Sequence, residues 1–256
     1  MALGRSAATV IGSFPLGESD RVITFFSREY GKIRGVAKAA RRMKSRFGGS
    51  LELFTLGQLV FFDTGRSDLV RVDHFDVVRP FARLRSDLER LGQAAWIIEC
   101  VGRLTGERDR HPALYGLLLR ALRALEDPVG PARVAVCFGA RCLDTLGYGP
   151  RLDRCVECGR AYPFPRARLD EAGLVCERCA QHGFASGAIS APGVLALDRL
   201  RSLPWEGALA IPLGRAEAEL RALLDTHLSR LIGQPTRTSK FLREVHRLSE
   251  LSGERT

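Results

Sequence analysis

Long apolar runs are missing from this sequence. No run approaches the ~18 apolar residues that a helix needs to span a bilayer. The N-terminal stretch MALGRSAATVIG also lacks the apolar segment that follows the charge in a secretory signal. We therefore expect a protein of the cytoplasm that does not cross a membrane.

Cysteine occurs in an odd number, and lysine is scarce. Seven cysteines without an export signal do not favour a disulfide framework, because the cytoplasm keeps thiols reduced. Only four of the 39 basic residues are lysine, so arginine carries most of the net charge of +10. The planar arginine fork binds two phosphate oxygens at once, and this charge favours acidic partners.

Motifs for nucleotide binding and for catalysis are missing as well. The sequence has no glycine-rich loop ending in Lys-Ser or Lys-Thr for ATP and no acidic cluster for Mg²⁺. Asp63, Asp73 and Asp76 have the spacing of surface alternation on strands. We predict a protein that is not an enzyme and leaves ATP-driven steps to its partners. A zinc hydrolase or nuclease is the weakest alternative.

Positive charge is concentrated between residues 28 and 46. One anion, Glu29, stands against eight cations, which we predict to bind nucleic acid: Arg28, Lys32, Arg34, Lys38, Arg41, Arg42, Lys44 and Arg46. The stretch begins as an alternating strand and ends as a loop before Gly48 and Gly49. Such an arrangement suits the regularly spaced phosphates of a nucleic acid, with a plainly solvated surface as the alternative.

The first eighty residues predict a small β-barrel. Five strand-like segments are separated by turns: Ala7–Phe14, Arg21–Ser27, Lys32–Ala37, Leu53–Asp63 and Leu69–Val78. Short strands at about ten-residue spacing favour a barrel or a sandwich. Five strands with a basic face favour an OB-type barrel, whose open face and loops bind oligonucleotides.

Adjacent phenylalanines occur twice on these strands, as Phe25-Phe26 and Phe61-Phe62. Neighbours on a strand point to opposite faces, so one ring of each pair is expected in the core and the other outside. An outer ring either stacks on a base or packs against the helical part of the chain.

From Pro80 onward, helical periodicity replaces strand alternation. Apolar residues recur at spacings of three and four near residues 84–98, 114–125, 134–146, 190–200 and 215–232. Ser190 is a predicted N-cap, Gly233 a predicted helix end, and Thr238–Leu251 a predicted last helix. Cys100, Cys137, Cys142 and His227 fall on apolar stripes and are expected in the core.

Four cysteines have the spacing of a zinc site. Cys155 and Cys158 form one Cys-x₂-Cys pair, and Cys176 and Cys179 form another after seventeen intervening residues. Four thiolates fill a tetrahedral Zn²⁺ and leave no position for water, so a structural ion is predicted. His182 lies nearby but is not needed as a ligand.

Three segments of the sequence, together with the order of its parts, resemble the RecO family of bacterial recombination mediators. The resemblance rests on LGESDRVITFFSREYGKIRGVAKAARR, LELFTLGQLVFF and RTSKFLREV, and it spans most of the chain. It implies an OB-fold head that binds single- and double-stranded DNA, strand annealing, and contact with single-strand-binding protein. It also implies partnership with RecR in loading RecA, at the nucleoid. Arg133, Arg141 and Arg247 are candidate contacts for the acidic tail of single-strand-binding protein.

We therefore predict an α+β multidomain protein with three parts. These are an OB-fold nucleic-acid-binding domain at 1–80, a helical domain at 81–150 and 184–256, and a zinc-binding insertion at 151–183. The lead hypothesis is a DNA repair and recombination mediator that anneals strands and helps load recombinase onto DNA covered by single-strand-binding protein. The alternative is an RNA- or ribosome-associated zinc-ribbon protein.

Overall fold

The computed structural model of the chain describes residues 2–65, 67–180, 187–242 and 244. The chain divides into two compact units, Met1–Glu126 and Asp127–Thr256. The finer division into three domains stays a prediction. Among the described residues, no helix combines the length and the apolar character needed to cross a membrane.

The first unit begins with five strands that close into a barrel. They are β1 (Ala2–Leu16), β2 (Asp20–Ser27), β3 (Gly31–Ala37), β4 (Leu56–Asp63) and β5 (Leu69–Arg79), in the order β1-β2-β3-β5-β4. Neighbours are antiparallel except β3 and β5, which pair in parallel. The predicted five-stranded OB-like fold is confirmed, although β1 begins earlier than the sequence indicated.

Strand β1 is long because it pairs with two neighbouring strands. Its first half pairs with β4 over Ala2–Thr9, and its second half pairs with β2 over Ala8–Leu16. The register shifts between Val10 and Gly12, which lets the strand bend around the barrel. Gly4 is required in the first half, because a Cβ atom there would lie 2.3 Å from the ring of Phe61.

The barrel core comes from the inward residues of the strands and from the segment between β3 and β4. Phe25, Leu59 and Phe61 are buried strand residues. Phe47 and Leu51 belong to the connecting segment, yet they are 4% and 1% exposed and lie in the same core. The segment that carries most of the predicted cations therefore packs into one side of the core.

Two helices complete the first unit. A 3₁₀ turn (Ala82–Arg85) precedes α1 (Leu88–Leu104), and α2 (Pro112–Ala124) follows. The Asp87 side chain accepts the Arg90 N–H and caps α1. Phe26 is fully buried, and its ring centroid lies 6.2 Å from that of Tyr115 on α2. For Phe26, packing against the helices is thus confirmed, and its ring is inaccessible to a base.

The second unit is mainly helical. Its elements are α3 (Pro131–Thr145), β6 (Ala167–Leu169), β7 (Leu174–Cys176), β8 (Ala188–Ile189), α4 (Ala191–Ser202), α5 (Trp205–Ala210) and α6 (Ala216–Ile232). The three short strands form one sheet in the order β7-β6-β8. Ser190 caps α4 by accepting the Gly193 N–H, and Gly233 ends α6 at a φ of 82°, as predicted.

The six-residue helix α5 was not predicted, because it is too short to show a clear period. The predicted helix over Thr238–Leu251 is seen only as helical residues 237–242 and 244; residue 243 and residues beyond 244 lie outside the described part. The expected core positions are confirmed: Cys100, Cys137 and Cys142 are fully buried, and His227 is 5% exposed.

Candidate nucleic-acid interface and metal centre

The basic loop is the segment between β3 and β4, residues 38–55. Its backbone folds into successive turns. The Arg42 N–H donates to Ala39 O at 3.2 Å, the Ser45 N–H to Arg42 O at 2.9 Å, and the Gly48 N–H to Ser45 O at 3.2 Å. The loop therefore has a defined turn structure despite its charge.

Contacts fix the basic loop to the barrel along its length. The Asp20 carboxylate accepts the Ala39 N–H at 2.7 Å, and Ala39 has a positive φ of 57°. The Arg41 N–H donates to Ser19 O at 2.9 Å. Together with the burial of Phe47, these contacts hold the backbone and leave the basic side chains exposed.

Five cations of the basic loop reach solvent: Lys38, Arg41, Arg42, Lys44 and Arg46. Within the described part of the chain, none of them has a carboxylate oxygen within 4.0 Å. The Arg41 guanidinium donates to Gly17 O at 3.0 Å, and the Arg46 guanidinium lies 5.0 Å from the ring centroid of Phe47. These contacts orient the two arginines without neutralising them.

The pKa of the Asp20 carboxyl lies below its usual value, mainly because of a backbone hydrogen bond. The Ala39 N–H lowers the pKa of Asp20 most; partial burial opposes the shift, and Ser19, Lys38 and Arg42 lower it further. The carboxylate is thus held ionised as a backbone acceptor at the start of the loop.

The three remaining predicted cations lie elsewhere. The Lys32 Nζ donates to Gly102 O at 2.8 Å and to Thr105 O at 2.6 Å, and its side chain is only 14% exposed. The Arg34 Nε lies 3.4 Å from a Glu107 oxygen. Lys32 and Arg34 thus tie β3 to the last turn of α1 and to the residues after it, and the Lys32 side chain has little exposed surface for a phosphate. Arg28 is exposed, 3.9 Å from Glu29.

Phe62 is the outward ring of the second phenylalanine pair. Phe61 fills the core and makes an edge contact with Tyr30 at 5.3 Å. Phe62 is half-buried, and the guanidinium carbon of Arg71 lies 4.8 Å from its ring centroid. Stacking of a base on Phe62 stays a prediction.

The second unit brings all four predicted metal ligands together. The sulfur atoms of Cys155, Cys158, Cys176 and Cys179 lie within 4.8 Å of one another. Two tight turns present them: the Gly159 N–H donates to Cys155 O at 3.0 Å, and the Cys179 N–H to Cys176 O at 3.1 Å. Gly159 has a φ of 74°, which glycine adopts without strain.

The surroundings of Cys155 favour its thiolate, whereas hydrogen bonds with the neighbouring cysteine sulfurs and burial raise the pKa of Cys179 to about 12. Burial opposes ionisation of Cys155, but backbone amides, including those of Cys158 and Cys176, lower the pKa of Cys155 to about 6. Arg160 lies near the sulfur atoms and pairs with Glu177 at 2.6 Å. Four converging sulfurs are the ligands of a tetrahedral zinc or iron–sulfur site, and these four residues could hold such an ion. His182 lies outside the described residues.

Two of the candidate contacts for an acidic tail have partners inside the second unit. The Arg141 Nε donates to Leu200 O at 2.8 Å, and its guanidinium lies 5.5 Å from the ring centroid of Trp205. The Arg133 Nε lies 3.3 Å from a Glu217 oxygen. Both arginines tie helices together. Arg247 lies outside the described residues.

A closed five-stranded barrel with a cationic loop, followed by helices and a four-cysteine cluster, places the chain among OB-like proteins with a helical extension. Family models agree. The model described as Recombination protein O N terminal matches residues 1–81, and Recombination protein O C terminal matches residues 85–240. The chain belongs to the RecO family.

Curated relatives match over nearly the whole chain. A DNA repair protein RecO of Anaeromyxobacter dehalogenans is 35% identical over 254 residues, covering 96% of this chain and 98% of the relative. A DNA repair protein RecO of Myxococcus xanthus is 34% identical and covers 93% and 96%. One from Frankia casuarinae is 38% identical and covers 90% and 96%.

Proposed function

We propose that the protein acts in DNA repair by binding single- and double-stranded DNA on its basic loop and annealing complementary strands. One observation carries this proposal: five exposed cations, without carboxylate partners among the described residues, project from a loop whose Phe47 is 4% exposed in the barrel core. The names of the relatives, DNA repair protein RecO, support the same role.

Annealing follows from charge neutralisation. Two strands repel each other through their phosphates, and cations held between them lower this repulsion. If the five cations each meet one phosphate, log affinity for a single strand falls against log salt with a slope of about −3.5. Such contacts position a strand without reading its bases, so binding is independent of sequence.

The cysteine cluster has a structural role in this proposal. Four thiolates would complete the coordination of Zn²⁺ and leave it no open position for chemistry. The ion would order residues 155–180, which contain only two short strands. The protein then acts as a mediator rather than as an enzyme, and it works with single-strand-binding protein and RecR to load RecA.

A strand-annealing assay tests the proposal. Complementary labelled oligonucleotides are mixed with the protein, with and without single-strand-binding protein. The variant R41A/R42A/K44A should anneal slowly, bind all sequences more weakly, and show a salt slope smaller by about 2. A matched control is R120A/R123A/R199A, which removes the same charge from exposed helix positions. Equal loss in both variants, or a flat salt dependence in the wild type, would refute the proposal.

A competition experiment between DNA and RNA distinguishes the proposed function from the RNA-binding alternative. DNA and RNA single strands of equal length and sequence compete for the protein at one salt concentration. Comparable affinities or a DNA preference fit the DNA repair role. A strong preference for RNA would favour the alternative.

A further inference from the structure

An apolar side chain stands at the most exposed point of the basic loop. Met43 has a relative exposure of 105%, so its thioether touches essentially nothing among the described residues. Three other large apolar residues of the loop are buried: Phe47, Leu51 and Phe54 are 4%, 1% and 0% exposed. Packing within the described part of the chain therefore does not explain the side chain at position 43.

The backbone presents Met43 outward. The Ser45 N–H donates to Arg42 O at 2.9 Å, which closes a turn with Met43 and Lys44 at its two central positions. The next turns lead directly to the buried Phe47. Met43 is thus at the tip of a turn whose base is fixed in the barrel.

The charged residues on either side of Met43 indicate which ligand would contact it. Arg41 and Arg42 precede it, and Lys44 and Arg46 follow it, all exposed. A strand whose phosphates lie on these cations brings its bases next to the turn. An apolar residue between phosphate-binding cations is the arrangement by which architectural proteins insert a wedge at a base step. The flexible, polarisable thioether also suits contact with aromatic rings.

We propose that Met43 inserts against the bases of the DNA strand held by the basic loop and partly unstacks them. This inference rests on the proposed DNA-binding function and adds a base contact to it. The cations supply the part of the affinity that depends on salt, and Met43 supplies a part that does not. The contact is tolerant of sequence, because every base has an apolar face.

The test compares two single-stranded oligonucleotides with equal numbers of phosphates, one with bases and one with abasic sugars. The variants are Met43→Gln, which keeps the length and charge of the side chain, and Met43→Leu, which keeps its apolar character. Affinities are measured by fluorescence anisotropy over a range of salt. Thermal unfolding should be the same for all three proteins, because the side chain is fully exposed.

We expect Met43→Gln to weaken binding to the strand with bases by about fivefold to tenfold at every salt concentration. The salt slope should not change, and binding to the abasic strand should match the wild type. Met43→Leu should stay within about twofold of the wild type.

Other results would overturn the inference. An equal loss on both strands would mean that position 43 acts through the shape of the loop. No loss on either strand, or a loss seen only when a protein partner is added, would mean that Met43 does not contact bases. If the wild type itself fails to bind the strand with bases at low salt, the proposed DNA-binding function fails with it.

Discussion

The ammonium nitrogen of Lys32 lies 2.8 Å from the carbonyl oxygen of Gly102, in the last turn of α1. A second carbonyl, that of Thr105, lies 2.6 Å away. A cation at this position satisfies carbonyl groups that the end of a helix leaves free, and it complements the helix dipole. A lysine in the most basic part of the sequence is thus a structural link between β3 and α1.

The first prediction separates this link from DNA binding. Lys32→Met should lower the free energy of unfolding by about 2 kcal/mol, because it removes a charged donor from two partly buried carbonyls. The affinity of the folded protein for DNA should change little. Urea unfolding and DNA titration measure the two effects.

The matched control for that prediction is Lys38→Met. Lys38 is exposed and, among the described residues, has no carboxylate within 4.0 Å. This variant should keep its stability and bind DNA more weakly. The reverse pattern in the two variants would show that Lys32 contacts phosphates.

The second prediction concerns the anchor of the basic loop. Phe47→Ala should destabilise the first unit by about 3–4 kcal/mol, because it removes a buried ring from the barrel core. Trypsin should then cut faster after the exposed arginines of the loop. Met43→Ala serves as the control, since its side chain is fully exposed and its loss should alter neither stability nor cleavage. Unchanged cleavage in Phe47→Ala would contradict the anchoring role.

The third prediction concerns metal. Purified protein should contain about one zinc ion per chain, bound by the four clustered cysteines. A strong chelator, or the substitution Cys158→Ser, should remove the ion and expose residues 151–180 to protease, since the ion would join the two Cys-x₂-Cys turns of this segment. Metal analysis and proteolysis provide the readouts.

The control for the metal prediction is Cys137→Ala. Cys137 is fully buried on α3, outside the cluster, so this variant should retain zinc. Full zinc content in Cys158→Ser, or loss in Cys137→Ala, would place the ion elsewhere.

The fourth prediction is a pH dependence that comes from His227. Burial lowers the pKa of His227 below its ordinary value of about 6.5; the nearby Glu171 and Asp170 oppose this shift, and Arg230 adds to it. Its Nε2 has no hydrogen-bond partner among the described residues. The unfolded chain binds a proton more readily than the folded one, so stability is complete above pH 6.5 and falls as the pH drops below that value.

This loss amounts to about 1.4 kcal/mol for each pH unit between the unfolded and folded pKa values of the histidine. Urea unfolding at pH 7.5, 6.5 and 5.5 would measure it. In His227→Leu the decrease across this range should be smaller, because the titrating group is gone. An identical decrease in both proteins would assign the pH dependence to other groups.

Much of the fold could be predicted from the sequence because its signals are local. Strand alternation and turns predicted all five strands, and the two Cys-x₂-Cys pairs predicted the cluster found within 4.8 Å. Helix caps at Ser190 and Gly233 were also predicted, because capping depends on neighbouring residues alone.

The sequence could not show which of the eight predicted cations are exposed and which have partners within the protein. Lys32 and Arg34 are held by residues some seventy positions away, Gly102, Thr105 and Glu107, and no local pattern links them. The burial of Phe47 could not be predicted either, because its neighbours in the sequence are basic and its core contacts are with residues distant in the sequence. Alternation did show that one ring of each phenylalanine pair points away from the core, but it could not show that Tyr115 covers Phe26.

The barrel closes where β3 meets β5, and the pairing there is short, with Arg34, Gly35 and Val36 opposite Leu69, Val70 and Arg71. The start of β3, which β5 does not reach, is also paired. Lys32 forms a β-bridge with Glu107, and the Lys32 carbonyl accepts the Arg108 N–H at 2.8 Å. A peptide of a partner protein therefore cannot add a strand to this edge of β3. A protein that docks there must instead recognise side chains, so its binding should be sensitive to point substitutions and insensitive to backbone pairing.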